Sequence, residues 1–178
     1  GDVGSHLIDI PFRTLGLKYP KDAECSVGSV FTKMWTPEYI PEGCPPSSLI
    51  TLHFDATEKN PSPIEMTWTD GGIRPPHPSI IPANSDIGGP GSGNGVLMIG
   101  EKGIISTNIN DSSPLTPKLY LNDGTTEFGP EIEKNSEPEY GHQRKWVDAC
   151  KAGFKSKEHL ELTSSFDYAG PMTETVLM

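Results

Sequence analysis

The residues best suited to chemistry open the chain. Asp2, His6 and Asp9 stand four and three positions apart. On a helix that spacing puts a carboxylate, an imidazole and a second carboxylate on one face. An imidazole titrates near neutral pH, and a neighbouring carboxylate can hold its tautomer. Such a row suits removal of a proton from an alcohol. It could also offer oxygen and nitrogen to a divalent metal, although three side chains from one helix close a coordination sphere poorly. A purely structural reading carries equal weight: Asp2 favours the helix N-terminus and His6 is partly buried.

A second group lies at 68–77. Trp68 is followed by Asp70, Gly71, Gly72, Arg74, Pro75, Pro76 and His77. Glycine permits tight turns and proline stiffens them. Arg74, Asp70 and His77 can hydrogen-bond hydroxyl or carboxylate groups, and Trp68 offers a flat apolar face to a sugar ring. The structural alternative is a loop whose arginine pairs with a local acid. His142, in GHQRKW, is either a further contact or a surface residue at a helix start, and Trp146 is expected in the core. The run GGPGSGNG at 88–95 lacks the lysine and hydroxyl of a phosphate-binding loop and reads as a linker or flap.

Elements must position these groups. Leu7, Ile8, Phe12 and Leu15 form one apolar stripe, predicting a helix over 1–16, kinked or broken at Pro11 and stopped at Gly16. Alternation predicts strands at 26–34, 49–56 and 64–69, the last two joined as a hairpin through EKNPSP. Residues 70–95 read as loop, a length that is usually functional or disordered. Strands at 96–99 and 104–107 flank a tight turn, and 118–121 is a further short strand. Helices follow at 140–152, stopped by Gly153, and from 170 to 178 with Pro171 in an early position. The order predicts one α+β domain over 1–178, with an open, mainly antiparallel β-sheet and helices packed on one face.

Composition narrows the partners. Among 178 residues, 24 carboxylates outnumber 14 lysines and arginines, a net charge of −10. That sign disfavours nucleic acid and anionic membranes, and a neutral or cationic ligand fits better. Acidity also serves solubility alone. Cys25, Cys44 and Cys150 are an odd, widely spaced set, which argues against a disulfide framework or a zinc site and for buried thiols. The longest apolar runs fall short of a membrane span. A start at Gly1 and a stop at Met178, each inside a helical pattern, suggest an excised piece, so neither cytoplasm nor periplasm is favoured.

Five segments, taken in order, resemble the C-terminal domain of Gfo/Idh/MocA oxidoreductases, in the variant common in Bacteroidetes and Planctomycetes. GDVGSHLIDIPFRTLGLKYP resembles that family's Asp-x-Gly-x-His-x-x-Asp helix. TWTDGGIRPPHP resembles its Trp-x-Asp-Gly-Gly-x-x-Pro-Pro loop. GVLMIGEKG, GHQRKWVDACKAG and SSFDYAGPMTETVLM resemble the strand pair and closing helices that follow. The resemblance implies a dihydrodipicolinate-reductase-like sheet domain that binds a sugar or glycoside and associates into homo-oligomers through its sheet. His6 would be the active-site histidine, Asp2 its partner and Asp9 structural. A Rossmann domain binding NAD or NADP, with a lysine, would supply the rest. No Gly-x-Gly-x-x-Gly follows a strand here, so neither cofactor is expected to bind this chain, which alone should not turn over. In the intact enzyme a hydride would pass between a sugar carbon and the nicotinamide. Some relatives use that oxidation transiently to cleave a glycosidic bond. The rival readings are a non-catalytic carbohydrate-binding module using Trp35 and Trp68, and a metal-dependent hydrolase using Asp2, His6 and Asp9.

Overall fold

The computed structural model describes residues 2–38, 40–85, 87, 94–108, 117–129 and 140–178. The chain is α+β, with helices and antiparallel ladders throughout. It divides into two compact units. One comprises Gly1–Pro11 with Pro78–Leu177, and the other Phe12–His77 with Met178. The single open sheet expected from the alternation is instead three sheets among the described residues, of three, two and four strands.

The opening helix is two helices, α1 (Asp2–Leu7) and α2 (Asp9–Leu15). The break falls at Ile8, one turn ahead of Pro11. Proline has no N–H for the carbonyl four residues back, so a continuous helix would lose a bond at Leu7. Restarting at Asp9 places Pro11 in a first turn, where that N–H is not needed. Gly16 ends α2 at φ +66°, and the Leu17 N–H reaches back to the Phe12 carbonyl at 2.9 Å. This six-to-one bond marks a Schellman stop, and its two apolar ends, Phe12 and Leu17, are both buried.

The 12–77 unit holds β1 (Asp22–Val27), β2 (Val30–Lys33), β3 (Thr36–Glu38), β4 (Ser48–Phe54) and β5 (Ile64–Thr69). The strand expected over 26–34 is split at Gly28-Ser29, and its first part pairs with β4 while its second pairs with β3. The order β1-β4-β5 is antiparallel throughout. Register puts Cys25, Ile50 and Trp68 in one row and Ala23, Leu52 and Met66 in the next. Leu52 and Phe54 on this face are buried, as are Phe12 and Leu17. The opposite face carries the row Asp22, His53, Glu65.

In the other unit, β6 (Gly95–Gly100), β7 (Gly103–Asn108), β8 (Lys118–Leu121) and β9 (Thr126–Phe128) form an up-and-down sheet. A two-residue turn at Glu101-Lys102 joins the first pair. Ile81, Ile104 and Tyr120 form its buried cluster, flanked by Ile80, Ile87 and Leu97. The helices α3 (Gly141–Ala152), α4 (Lys157–Leu160) and α5 (Phe166–Leu177) close the chain. Helix α5 starts four residues earlier than expected, so Pro171 sits inside it. The Ser165 carbonyl takes the N–H groups of Tyr168 and Ala169, which builds the first turn ahead of the proline. Trp146, expected in the core, is 57% exposed, because α3 buries only Ala149. Cys25, Cys44 and Cys150, expected to be buried, are all exposed. Cys25 lies on edge strand β1 and Cys150 beside Ala149, on helix faces and edges left uncovered. No helix among the described residues is long and apolar enough to cross a membrane.

Phe12, on α2, is only 1% exposed. Phe12→Ala should destabilise the protein by about 3–5 kcal/mol, the usual cost of emptying a phenylalanine site. Urea unfolding followed by circular dichroism measures it, and a change within experimental error would contradict that burial.

Candidate functional site

The loop after β5 is built on one carboxylate. Asp70 Oδ1 accepts the Ser48 N–H at 2.6 Å. Its Oδ2 accepts both the Ser48 hydroxyl at 2.8 Å and the Trp68 indole N–H at 2.9 Å. The Asp70 N–H in turn donates to the Ser48 carbonyl at 3.0 Å. Alternation on β5 makes this possible, since positions 68 and 70 lie on one side of the strand. The indole thus has its polar atom satisfied while its ring lies half-buried in the row with Cys25 and Ile50. The Trp68 hydrogen bond, with those from Ser48, holds the Asp70 carboxyl below the ordinary carboxylate range despite its partial burial.

Gly71 continues this construction. It has φ +61°, and a Cβ there would lie 2.0 Å from the Pro46 carbonyl oxygen and 2.4 Å from Ser47 Cα. Any side chain would both strain the backbone and force the 46–48 segment away. The Gly28 N–H donates to the Ser47 carbonyl at 2.9 Å, so the β1 end meets the same segment. The Trp-x-Asp-Gly part of the motif is therefore an anchor. Beyond it, the Ile73 N–H donates to the Asp70 carbonyl at 3.1 Å, closing a turn from which Arg74 and His77 stand exposed. Among the described residues no carboxylate pairs with Arg74.

His6 occupies the last turn of α1 and is exposed. Asp2 opens that helix one turn earlier, but its side chain lies outside the described residues. Leu7 and Ile8 are buried, α1 packs against α5, and the Tyr168 hydroxyl donates to Asp9. Asp9 thus ties the start of α2 to α5. His142 is the second residue of α3 and is exposed. The structure joins Trp68 to Asp70 and places Arg74 and His77 on the same loop of the 12–77 unit. His6 and His142 belong to the other unit. Most of the glycine run, at 88–93, lies outside the described residues.

One interacting histidine carried no motif. His53 Nδ1 lies 2.5 Å from Asp22 Oδ1, and its Nε2 lies 3.8 Å from Glu65. The hydrogen bond to Asp22, aided by the charges of Asp22, Glu65 and Glu24, raises the His53 pKa above the ordinary imidazole value. Only cross-strand register brings these residues together. The alternation of β4 assigns His53 to the polar face, but the partner strand β1 was not legible. Among the described residues no group of three metal-ligating side chains is placed to hold an ion.

No protein-family model matches the chain, and no curated protein matches it.

Asp70 binds its proton more weakly folded than unfolded, so its contribution to stability is present above the unfolded carboxylate pKa. That contribution is lost as pH falls through the folded value. Asp70→Asn removes the charge and turns an amide donor toward at least one of these N–H or O–H groups. It should cost about 1–3 kcal/mol near neutral pH. The deficit should shrink in acid, and denaturant unfolding at several pH values would read both. Equal deficits at every pH would reject the ionised clamp.

Proposed function

We propose that the chain is the substrate-binding part of an oxidoreductase acting on a sugar or glycoside. In this reading it is a dihydrodipicolinate-reductase-like domain of the Gfo/Idh/MocA type that works beside a separate NAD- or NADP-binding domain. The observation that carries the reading is the state of His6. Its neighbours Leu7 and Ile8 are buried, and Asp9 is held by Tyr168. With Leu7 buried and α1 packed against α5 the helix is held, while the imidazole stands exposed with no partner among the described residues. An exposed imidazole on a held element suits proton transfer. His6 takes the substrate hydroxyl proton, with Asp2 one turn away as its partner. In the 12–77 unit Trp68, Arg74 and His77 are the proposed substrate contacts and Asp70 positions Trp68 and the loop, and in the other unit His142 is a proposed contact.

The nicotinamide group does not fit this chain. Dinucleotide sites use a parallel βαβ unit whose glycine turn opens a helix onto the pyrophosphate. Every strand pair among the described residues is antiparallel. In this reading the cofactor belongs to another domain. Exposed apolar groups support such a neighbour: Trp146 on α3, Phe154 in the turn after it and Phe166 at the start of α5. Ile99 and Phe128, exposed on the four-stranded sheet, support association of copies through that sheet.

Assayed together with its nucleotide-binding domain, His6→Ala should lower kcat by about 10²–10⁴-fold, the range for a lost general acid–base. Cofactor affinity should be unchanged. Undiminished turnover would overturn the role. Calorimetric titration of the chain alone with NAD and with NADP should show no binding, and a saturable signal would place the cofactor site here instead.

A further inference from the structure

A groove of about 420 Å³ lies in the 12–77 unit, between the end of α2 and the chain leaving β4. None of the candidate site residues named above lines it. Leu17 and Phe54, both buried, supply its apolar base. One wall is the 56–60 loop, which a set of hydrogen bonds ties to the end of α2. The Thr57 hydroxyl donates to the Leu15 carbonyl at 2.5 Å and accepts the N–H groups of Lys59 at 3.2 Å and Asn60 at 3.0 Å. The Thr57 N–H donates to the Asn60 carbonyl at 2.7 Å, and Lys59 Nζ reaches the Arg13 carbonyl at 2.9 Å. These bonds satisfy carbonyls that a helix end leaves open, and they hold the wall in one conformation before any ligand arrives.

Against this fixed wall stand three side chains with no partner among the described residues: Lys18, Tyr19 and Glu58. Tyr19 is 56% exposed, so its ring is available as a platform. Lys18 supplies donors and Glu58 supplies acceptors. The charged groups lining the groove are Lys18, Lys59, Asp55 and Glu58, two of each sign, so no net charge selects an ion. Asp55 is further balanced by Lys21, 3.3 Å away. The volume falls within the range of small-molecule clefts, roughly 300–1,000 Å³.

We infer that this groove binds a small uncharged polyhydroxylated ring, a pyranose-type sugar, with its C–H face on Tyr19 and its hydroxyls between Lys18 and Glu58. An aromatic ring matches the apolar face of such a molecule, and paired donor and acceptor side chains match its rim. The inference does not rest on the proposed function. Its lining includes neither His6 nor any residue of the 68–77 loop.

The test is a titration of the isotope-labelled chain with neutral methyl pyranosides, followed by amide shifts. Acetate and inorganic phosphate serve as charged comparisons. Saturable shifts at Gly16, Lys18, Thr57 and Lys59 are expected in the millimolar range for the pyranoside alone. Tyr19→Ala and Glu58→Gln, both at exposed positions, should each weaken binding by about tenfold with the amide spectrum otherwise kept. Absence of saturable shifts at these amides, equal response to the two anions, or undiminished binding by both variants would each overturn the inference. Shifts confined to residues 70–77 would overturn it too, while leaving the proposed function standing.

Discussion

One part-buried carboxylate organises the 12–77 unit, which holds the most recognisable motif. Asp70 receives three hydrogen bonds, two from Ser48 and one from the Trp68 indole. Those bonds join the end of β5 to the start of β4 and orient a large aromatic at the same stroke. Hydrogen bonds to an ionised acceptor are about twice as strong as neutral ones. Gly71 completes the join, because only a residue without a Cβ can pass so close to Pro46 and Ser47. The loop carrying Arg74 and His77 therefore starts from a fixed point. Its polar tips are exposed while its root is held.

The same division between held and presented groups recurs elsewhere. In α1, burial of Leu7 and Ile8 and the Tyr168–Asp9 bond hold the helix that presents His6. At the end of α2, Thr57 and Lys59 close the open carbonyls and so fix a wall beside Tyr19 and Glu58. Each case converts ordinary structural economy into a rigid mount. Preorganised mounts are what binding and proton transfer require, since ordering a side chain on contact with ligand costs affinity. The exposed apolar groups Trp146 on α3 and Phe166 on α5 stand outside this pattern.

Much of this was legible in the residues. Period-two alternation placed β5 at its observed bounds and β4 within two residues of its own, because each has one apolar and one polar face. The glycine stops at Gly16 and Gly153 were legible from residue type, and both adopt positive φ. What failed was information held by pairing and packing. Strand β1 begins with Asp22 and Glu24 and reads as polar loop, yet its ladder with β4 makes it a strand. The division into three sheets turns on Gly28-Ser29, where pairing partners change without any change in alternation. Trp146 fits a helical stripe but has no facing layer in this chain, so its periodicity misled. The Trp68–Asp70 hydrogen bond was likewise not legible in the residues. It became visible only once Ser48 arrived from 22 residues away.

The most direct measurement is the acid titration of the Trp68 indole N–H resonance. A clamp of the kind described predicts a signal slow to exchange with water. It should move as Asp70 takes its proton, with a midpoint below the ordinary carboxylate range. An indole proton that exchanges freely, or one that follows an unshifted carboxylate, would contradict the account at its root.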